Sequence, residues 1–387
     1  MAESLLVSNS DILFMILSLL PVEVLLRVKS VCRAWARVIS DPAFTRAHCS
    51  RPTPITAFFT IRYRLPETQI QGFKPIQIQE GVKFPSSITS ILSSGFKAVS
   101  GSHGLLCFRR DWVFIVGNPA TSHWCVLHSA NSNSLFMYHG AVVIYDPTVS
   151  IHFKLAVALI KLDNRDAFKH YIKFNIYSSE TSSWTVSSLY TQCWNPGVVS
   201  FHKGIRGTDA YEPCKIGGGS ICWFDGSRVL VGYEISTGTY WKVSRPSPSS
   251  NFRSEFMSCY NSTIYFGRIS EDVTKVWRLE GKNSWVLEGE GDNEELRRFV
   301  PTPSAYDPSR GALIIGGRRN GEYFALNFSS STLEILSHGV DHPPIWEVYD
   351  HPRLPHGNTL APLHGAEAGM NGLTREFHRM GLRPLDL

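Results

Sequence analysis

The stretch VGNPATSHW, from Val116 to Trp124, sets the reading of most of this chain: an apolar strand end, a polar turn, then a tryptophan that begins a second strand. Two more stretches have the same form, IYSSETSSW from Ile176 to Trp184 and YEISTGTYW from Tyr233 to Trp241, and weaker copies end at Trp285 and Leu333. Each unit has a physical logic. Ser, Thr, Asn and Gly close a hairpin, and the large ring that follows is a wedge for packing between neighbouring sheets. The five copies end 60, 57, 44 and 48 residues apart. A period of roughly 40 to 50 residues with insertions is what radial repetition of four-stranded sheets produces. The long middle of the chain, residues 51–350, is therefore expected to be an all-β propeller. The stretch Ile55 to Phe84 supplies a sixth unit, for six blades or an incomplete ring.

Composition agrees with that body. In 387 residues, 43% are hydrophobic and 12% aromatic, with 30 Gly and 22 Pro, which suits pleated sheets and many turns better than a helical bundle. A formal net charge of +5 is mild for this length and far from the basic stripe of a phosphate-tracking protein, so no nucleic-acid partner is expected. The eight cysteines (32, 49, 107, 125, 193, 214, 222 and 259) include no C-x-x-C pair and mostly sit in apolar runs, as buried free thiols of a reducing compartment do. The apolar run Ile12 to Val22 is only 11 residues long and follows Glu3 and Asp11, too short to span a bilayer and without the basic flank of a signal peptide. The sequons at Asn261 and Asn327 are discounted for that reason. A cytoplasmic or nuclear protein with no membrane partner is expected.

Before the repeats, residues 1–50 read as a helical module of three helices. Ser10 is a cap for a helix carrying Ile12, Leu13, Ile16, Leu17 and Leu20 at steps of three and four. Pro21 opens a second helix with Val22, Leu25, Leu26 and Val28, and Val31, Cys32, Trp35, Val38 and Ile39 form a third stripe ended by Asp41-Pro42, with a last turn through Phe44 and Ala47. So small a module buries too little surface to be secure alone and needs a neighbour or a partner. Residues 351–387 hold no Val or Ile and are expected to form a mobile tail, with a brief helix at Leu373 to Met380 that has no assigned role.

The N-terminal blocks resemble a known family. Ile16-Leu17-Ser18-Leu19-Leu20-Pro21-Val22, then Leu25-Leu26-Arg27, Ser30-Val31-Cys32-Arg33-Ala34-Trp35 and Ile39-Ser40-Asp41-Pro42-Ala43-Phe44, look like the F-box of plant F-box proteins, matched in order without a gap. Gly101-Ser102-His103-Gly104-Leu105-Leu106-Cys107 and Gly117-Asn118-Pro119-Ala120-Thr121, with Tyr177 to Trp184 further on, are similar to blocks of the F-box-associated and kelch-like propeller domains that follow it. Leu313-Ile314-Ile315-Gly316-Gly317 resembles a kelch blade strand. The implied fold class is α+β multidomain, an F-box followed by a propeller. The implied function is that of a non-catalytic, substrate-recognition adaptor subunit of an SCF-type cullin-RING ubiquitin ligase, docked to a Skp-type adaptor. Carried over by position, Ile12, Leu13, Ile16, Leu20, Pro21, Val22, Leu25, Val31, Cys32 and Trp35 are candidates for adaptor contact or for the core behind it. The family usually begins this motif with Leu-Pro, where this chain has Ser8 and Asn9, and two often acidic positions are Phe14 and Met15. Loss of the leading apolar pair predicts weakened but retained adaptor binding.

No catalytic constellation is legible, and no cofactor or metal is expected. Gly217-Gly218-Gly219-Ser220 lacks the Lys and helix of a phosphate-cradling loop and reads as a turn between strands. His123 and His128 lack a second ligand pair for zinc. Arg27, Lys29, Arg33 and Arg37 read as a solvated helix face. Cys107 to Trp112 and Trp194 to Arg206 are longer than hairpin turns require, which makes Arg109, Arg110, Trp112, Trp194 and Arg206 candidates for contact with a target protein. The alternative from another class is a carbohydrate- or small-ligand-binding propeller whose helical module is only structural; a concave aromatic pocket on the propeller face distinguishes it.

Overall fold

A computed structural model describes residues 9–51, 57–64, 69–77, 86–129, 136–162, 169–187, 190–193, 215–217, 219–224, 229–246, 254–260, 262–293, 296, 302–316, 323–337, 348–356, 375, 377 and 379. The N-terminal module has four helices, α1 (Asn9–Ser18), α2 (Val22–Val28), α3 (Arg33–Ile39) and α4 (Pro42–Cys49), one more than the three expected. Asp41-Pro42 ends α3 and also begins α4. The Ala43 N–H donates to Asp41 Oδ1 at 2.7 Å, and Pro42 occupies the first helical position, where its missing N–H costs nothing. Ser10, expected as the cap of α1, lies inside that helix.

Leu17, Val22, Leu25, Ile39 and Phe44 form the module's core, with Leu13, Phe14, Leu20 and Trp35 packed half-buried around it. The Phe14 ring meets Phe44 edge-on at 5.1 Å. Arg51 ties the end of α4 to the end of α1 by donating to the Ser18 carbonyl and, at 3.2 Å, to its Oγ. Two contacts seat the module on the propeller: Ala120, from the VGNPATSHW turn, packs on the helical core, and Cys49 is buried among Leu105, Cys107, Val116, Tyr145 and Phe153.

The remainder starts with the hairpin β1 (Ala57–Arg64) and β2 (Gln69–Gln77), followed by α5 (Ser86–Ser93). Five antiparallel blades follow in sequence. The first is β3 (Lys97–Ser102), β4 (Leu105–Arg110), β5 (Val113–Asn118) and β6 (His123–His128). The second is β7 (Met137–Ile144), β8 (Lys154–Leu162), β9 (Lys169–Ser178) and β10 (Ser183–Val186), with short β11 (Tyr190–Cys193) also on β9. The third is β12 (Lys215–Gly217), β13 (Ser220–Phe224), β14 (Val229–Glu234) and β15 (Thr239–Ser244). The fourth is β16 (Ser254–Tyr260), β17 (Thr263–Ile269), β18 (Val273–Glu280) and β19 (Ser284–Asp292). The fifth is β20 (Thr302–Asp307), β21 (Ala312–Gly316), β22 (Tyr323–Asn327) and β23 (Thr332–Ser337).

The sixth blade is made from both ends of the domain. A last strand, β24 (Val348–His356), pairs antiparallel with β1 from Ala57↔His356 to Arg64↔Val348, giving the three-stranded order β2-β1-β24. The first strands of the five full blades, β3, β7, β12, β16 and β20, neighbour one another in that order, and β24 contacts both β20 and β3, so the ring is closed. The expectation of six blades or an incomplete ring is met by five full blades and this three-stranded sixth sheet. The boundary drawn at residue 350 does not hold, because it cuts β24, and the expectation of a tail without strands fails with it. The composition past residue 350, without Val or Ile, misled that reading, and the strand there also accommodates Pro352 and Pro355. A proline removes one N–H, which a strand at the edge of a sheet tolerates. Here β2, with Pro75, and β24 are the two edges, while the central strand β1 carries no proline. Farther on, Phe377 is fully buried and stacks on Phe96 with ring centroids 5.6 Å apart, so this part of the tail is docked.

The repeated wedge is visible in each blade. The second cross-strand pair from the outer turn is Gly117↔Trp124, Tyr177↔Trp184, Leu279↔Trp285 and Leu326↔Leu333. In the third blade that pair is Tyr233↔Tyr240, and Trp241 lies one residue beyond, opposite Gly232. Successive side chains on a strand point to opposite faces, so the unit that ended in Trp241 in the sequence is carried by Tyr240 in space. Trp184, Tyr240, Trp285 and Leu333 pack into the clusters between successive blades, and on the first blade α5 and Phe377 cover the face that Trp124 occupies. Polar ties run across the third and fourth blades. Trp285 Nε1 donates to the Ser244 carbonyl at 2.8 Å, and Glu255 accepts from both Arg245 and Arg268 in a buried triad.

Candidate docking site on the helical module

The structure separates the ten sequence candidates into two sets. Val22 and Leu25 are buried, and Leu13, Leu20 and Trp35 are half-buried around them. Ile12, Ile16, Pro21, Val31 and Cys32 are exposed. Ile12 is 46% exposed, Ile16 55% and Val31 63%, fractions far above those of a monomer's core. Two exposed residues were missed, Met15 at 65% and Leu19 at 72%. Ile12, Met15 and Ile16 stand at i, i+3 and i+4 on one face of α1, and Leu19 follows at i+7 in the turn just past its end. The signal was in the sequence: from Ile12 to Leu17, α1 is apolar on every side, and a helix of that kind is covered on every side in the state where it functions. The inner side is covered by α3 and α4; the outer side has no cover among the described residues.

Position 14 and position 15, both often acidic in the resembled motif, divide the same way. Phe14 turns inward onto Phe44, and Met15 enlarges the outer face. Asn9 opens α1, and Ser8 lies outside the described residues. His48 braces the stripe from behind. Its Nε2 meets the Leu20 carbonyl at 2.9 Å and its ring stacks on Phe44 at 6.1 Å. Burial lowers its pKa, and the Leu20 bond opposes that only in part.

Residues 10–51 match the F-box-like family, and residues 74–208 match the β-propeller described as F-box protein At3g26010-like. The chain joins an F-box-like domain to an F-box-protein β-propeller. F-box protein At3g26010 of Arabidopsis thaliana is 24% identical over 292 residues, covering 70% of this chain and 65% of its own length. F-box protein At1g49990 of the same plant is 22% identical over 327 residues, 70% of this chain and 73% of the relative. F-box/kelch-repeat protein At3g61590 is 25% identical over 302 residues, 72% and 69%. The chain thus spans less than two thirds of the first of these relatives.

On the propeller, the candidate target-contact residues are placed differently from expectation. Cys107 to Trp112 is no long loop: β4 and β5 are joined by the two residues Asp111 and Trp112, with Asp111 at φ 53. Arg109 lays its guanidinium 3.5 Å above the Tyr138 ring, Arg110 Nη1 donates to the Ser94 carbonyl at 2.8 Å, and Trp112 is half-buried, edge-on to Tyr138. Such side chains join the first blade to its surroundings, and the aromatic-basic alternation came from packing. Trp194 and Arg206 lie outside the described residues. In the glycine cluster, Gly217 ends β12 and Gly219, at φ +81, stands in the turn before β13, while Gly218 lies outside the described residues. His123 and His128 are exposed, and among the described residues no three His, Cys, Asp or Glu side chains form a metal-binding group. Among the described residues, too, no helix is long and apolar enough to cross a membrane.

Proposed function

We propose that this protein is the substrate-recognition subunit of an SCF-type cullin-RING ubiquitin ligase. Its F-box-like domain docks a Skp-type adaptor through Ile12, Met15, Ile16, Leu19 and Val31, while the propeller holds a target protein. The observation that carries the docking half is the open apolar face of α1. Large contiguous apolar surface on a folded module marks an interaction site, and here it lies on the domain that matches the F-box-like family. The chain then breaks no bond itself. It raises the effective concentration of target lysines at the charged enzyme by holding both in one complex. With that role the protein would work in the cytoplasm or nucleus, where thiols such as the buried Cys49, Cys107, Cys125 and Cys222 stay reduced.

The test is retention of the full chain on an immobilised, purified Skp-type adaptor. Wild type is expected to be retained and Ile16→Asp/Leu19→Asp lost, with both variants equally folded by circular dichroism, since both positions are exposed. Equal retention of the two would overturn the proposal.

A further inference from the structure

We infer that the surface which docks on the F-box-like domain is an acidic protein surface, recognised by Arg27, Lys29, Arg33 and Arg37 beside the apolar face. This rests on the docking reading above and adds the chemistry of the partner. All four side chains are exposed, and none of the ion pairs among the described residues involves them. Between residues 9 and 51 there are six Lys or Arg against three Asp or Glu, and none of the acids lies between residues 24 and 40.

Arg27 and Arg37, in the last turns of α2 and α3, suit the helix dipole there, and Arg27 Nε donates to the Glu23 carbonyl at 3.2 Å, whereas Arg33 is placed against the module's own stability. Arg33 and Arg37 are four apart on α3, so their like charges share one face and repel. Arg33 is also the first residue of α3, where the positive end of the helix dipole disfavours a cation; the first turn holds no acid, and Cys32 supplies no side-chain cap. Lys29 to Ala34 is a run of six exposed residues with Val31 near its centre. A local choice that opposes stability is expected where a partner relieves it. Carboxylates on the partner would answer all four cations at once. Because α1 packs against α3, the same partner can cover the stripe of Ile12, Met15, Ile16 and Leu19. The patch contains no exposed aromatic ring for base stacking, and the whole chain is only mildly basic, which favours a protein over a nucleic acid.

Charges at the rim of an apolar contact act chiefly on the association rate and its salt dependence. Binding kinetics of the full chain to a purified Skp-type adaptor, at about 50 mM and about 500 mM salt, read this directly. Arg33→Glu/Arg37→Glu is expected to slow association by roughly tenfold or more at low salt, to leave dissociation nearly unchanged, and to approach wild type at high salt. Arg33→Gln/Arg37→Gln should fall between. Charge variants that associate like wild type at both salts, while Ile16→Asp/Leu19→Asp is lost, overturn this inference and leave the docking reading standing. Wild type that does not bind the adaptor overturns both. Tighter binding of wild type to a short DNA duplex than to the adaptor assigns the cations to nucleic acid and also overturns it.

Discussion

The sixth blade and helix α1 each present an unfinished surface near the start of the chain, and the two are treated differently. β1 pairs with β2 on one side, and on the other its backbone groups are met by β24, almost 300 residues later. α1 is covered on its inner side by the module's own core, and its outer side keeps Ile12, Met15 and Ile16 exposed, with Leu19 exposed in the turn that follows. A sheet edge that is left open is a template for any passing strand, so a propeller closes itself. An apolar helix face left open in a chain that brings distant segments together is, on the docking reading proposed above, a face kept for another molecule. On that reading the contrast separates what the chain completes from what a partner would complete.

Removing the segment that closes the ring should have the largest effect. A chain ending before Val348 loses the whole β1–β24 ladder and the buried Phe377 ring, and it is expected to lose its cooperative thermal transition. Phe377→Ala alone tests the lesser part. Truncating a buried Phe costs about 3–5 kcal/mol, and a urea titration followed by tryptophan fluorescence should show the midpoint fall while the transition stays cooperative. If the shortened chain melts as the full chain does, the ring is not held by its C-terminal strand.

How much of this was readable without coordinates depends on whether the deciding signal was local. The turn-and-ring unit was local, and it gave the blades. The closing strand was not: residues past 350 hold no Val or Ile and carry no strand signature until the sheet order pairs β24 with β1. Trp241 was counted as the wedge of its blade because tryptophan is conspicuous, although the turn geometry puts Tyr240 in that frame. On the module, apolar spacing identified α1 but could not divide contact from core, because a helix apolar on all sides has no distinguished face until α3 and α4 are placed against it. Met15 and Leu19 escaped for that reason. Arg109 and Trp112 were drawn as a loop because the two-residue turn at Asp111 leaves little trace in composition.

The division of α1 and α2 into inner and outer residues can be broken by two aspartates. Leu25 is fully buried, so Leu25→Asp places a carboxylate in a core without a partner for it. That is expected to destabilise the module by more than about 4 kcal/mol, and adaptor capture should vanish because the domain unfolds. Ile16→Asp stands on the exposed face, where substitutions usually shift stability within about 0.5 kcal/mol, and capture should vanish with the fold intact. Hydrogen exchange at α4 separates the two outcomes: protection is lost in the first and kept in the second. Protection lost in both would mean that Ile16 belongs to the core.

A smaller effect probes the propeller's packing. A Cβ on Gly117 would lie 2.2 Å from Trp124 Cε3 and 2.5 Å from the backbone oxygen of His123, and the second of these cannot turn aside. Gly117→Ala should therefore cost about 1–3 kcal/mol by overpacking, seen as a lower urea midpoint, while adaptor capture stays as in wild type. The result would show that the wedge ring and the docking face fail independently.

The mildest test uses pH, because the two regions carry titrating groups with separate windows. Burial lowers the pKa of His48 below its ordinary 6.5. The unfolded chain then takes up its proton first, so the stability His48 lends the module is complete above pH 6.5 and declines as pH falls from there towards the lower folded value. In the propeller, Glu234 is opposed by burial, which raises its pKa, but hydrogen bonds from Lys282, Ser236 and Ser220 and the Lys282 charge outweigh that and hold it below 4.5. Its contribution is complete above pH 4.5 and is lost only below that value. Lys282 reaches Glu234 from the neighbouring blade, so this loss loosens a tie between the third and fourth blades. Hydrogen exchange between pH 7.5 and 5.5 should speed at the α4 amides and, after correction for intrinsic rates, leave β14 unchanged. The β14 amides should follow only below pH 4.5. Acid sensitivity that sets in at one pH for both regions would mean that the module and the propeller unfold as a single unit, and the contrast between a self-closed ring and a partner-dependent helix would have to be given up.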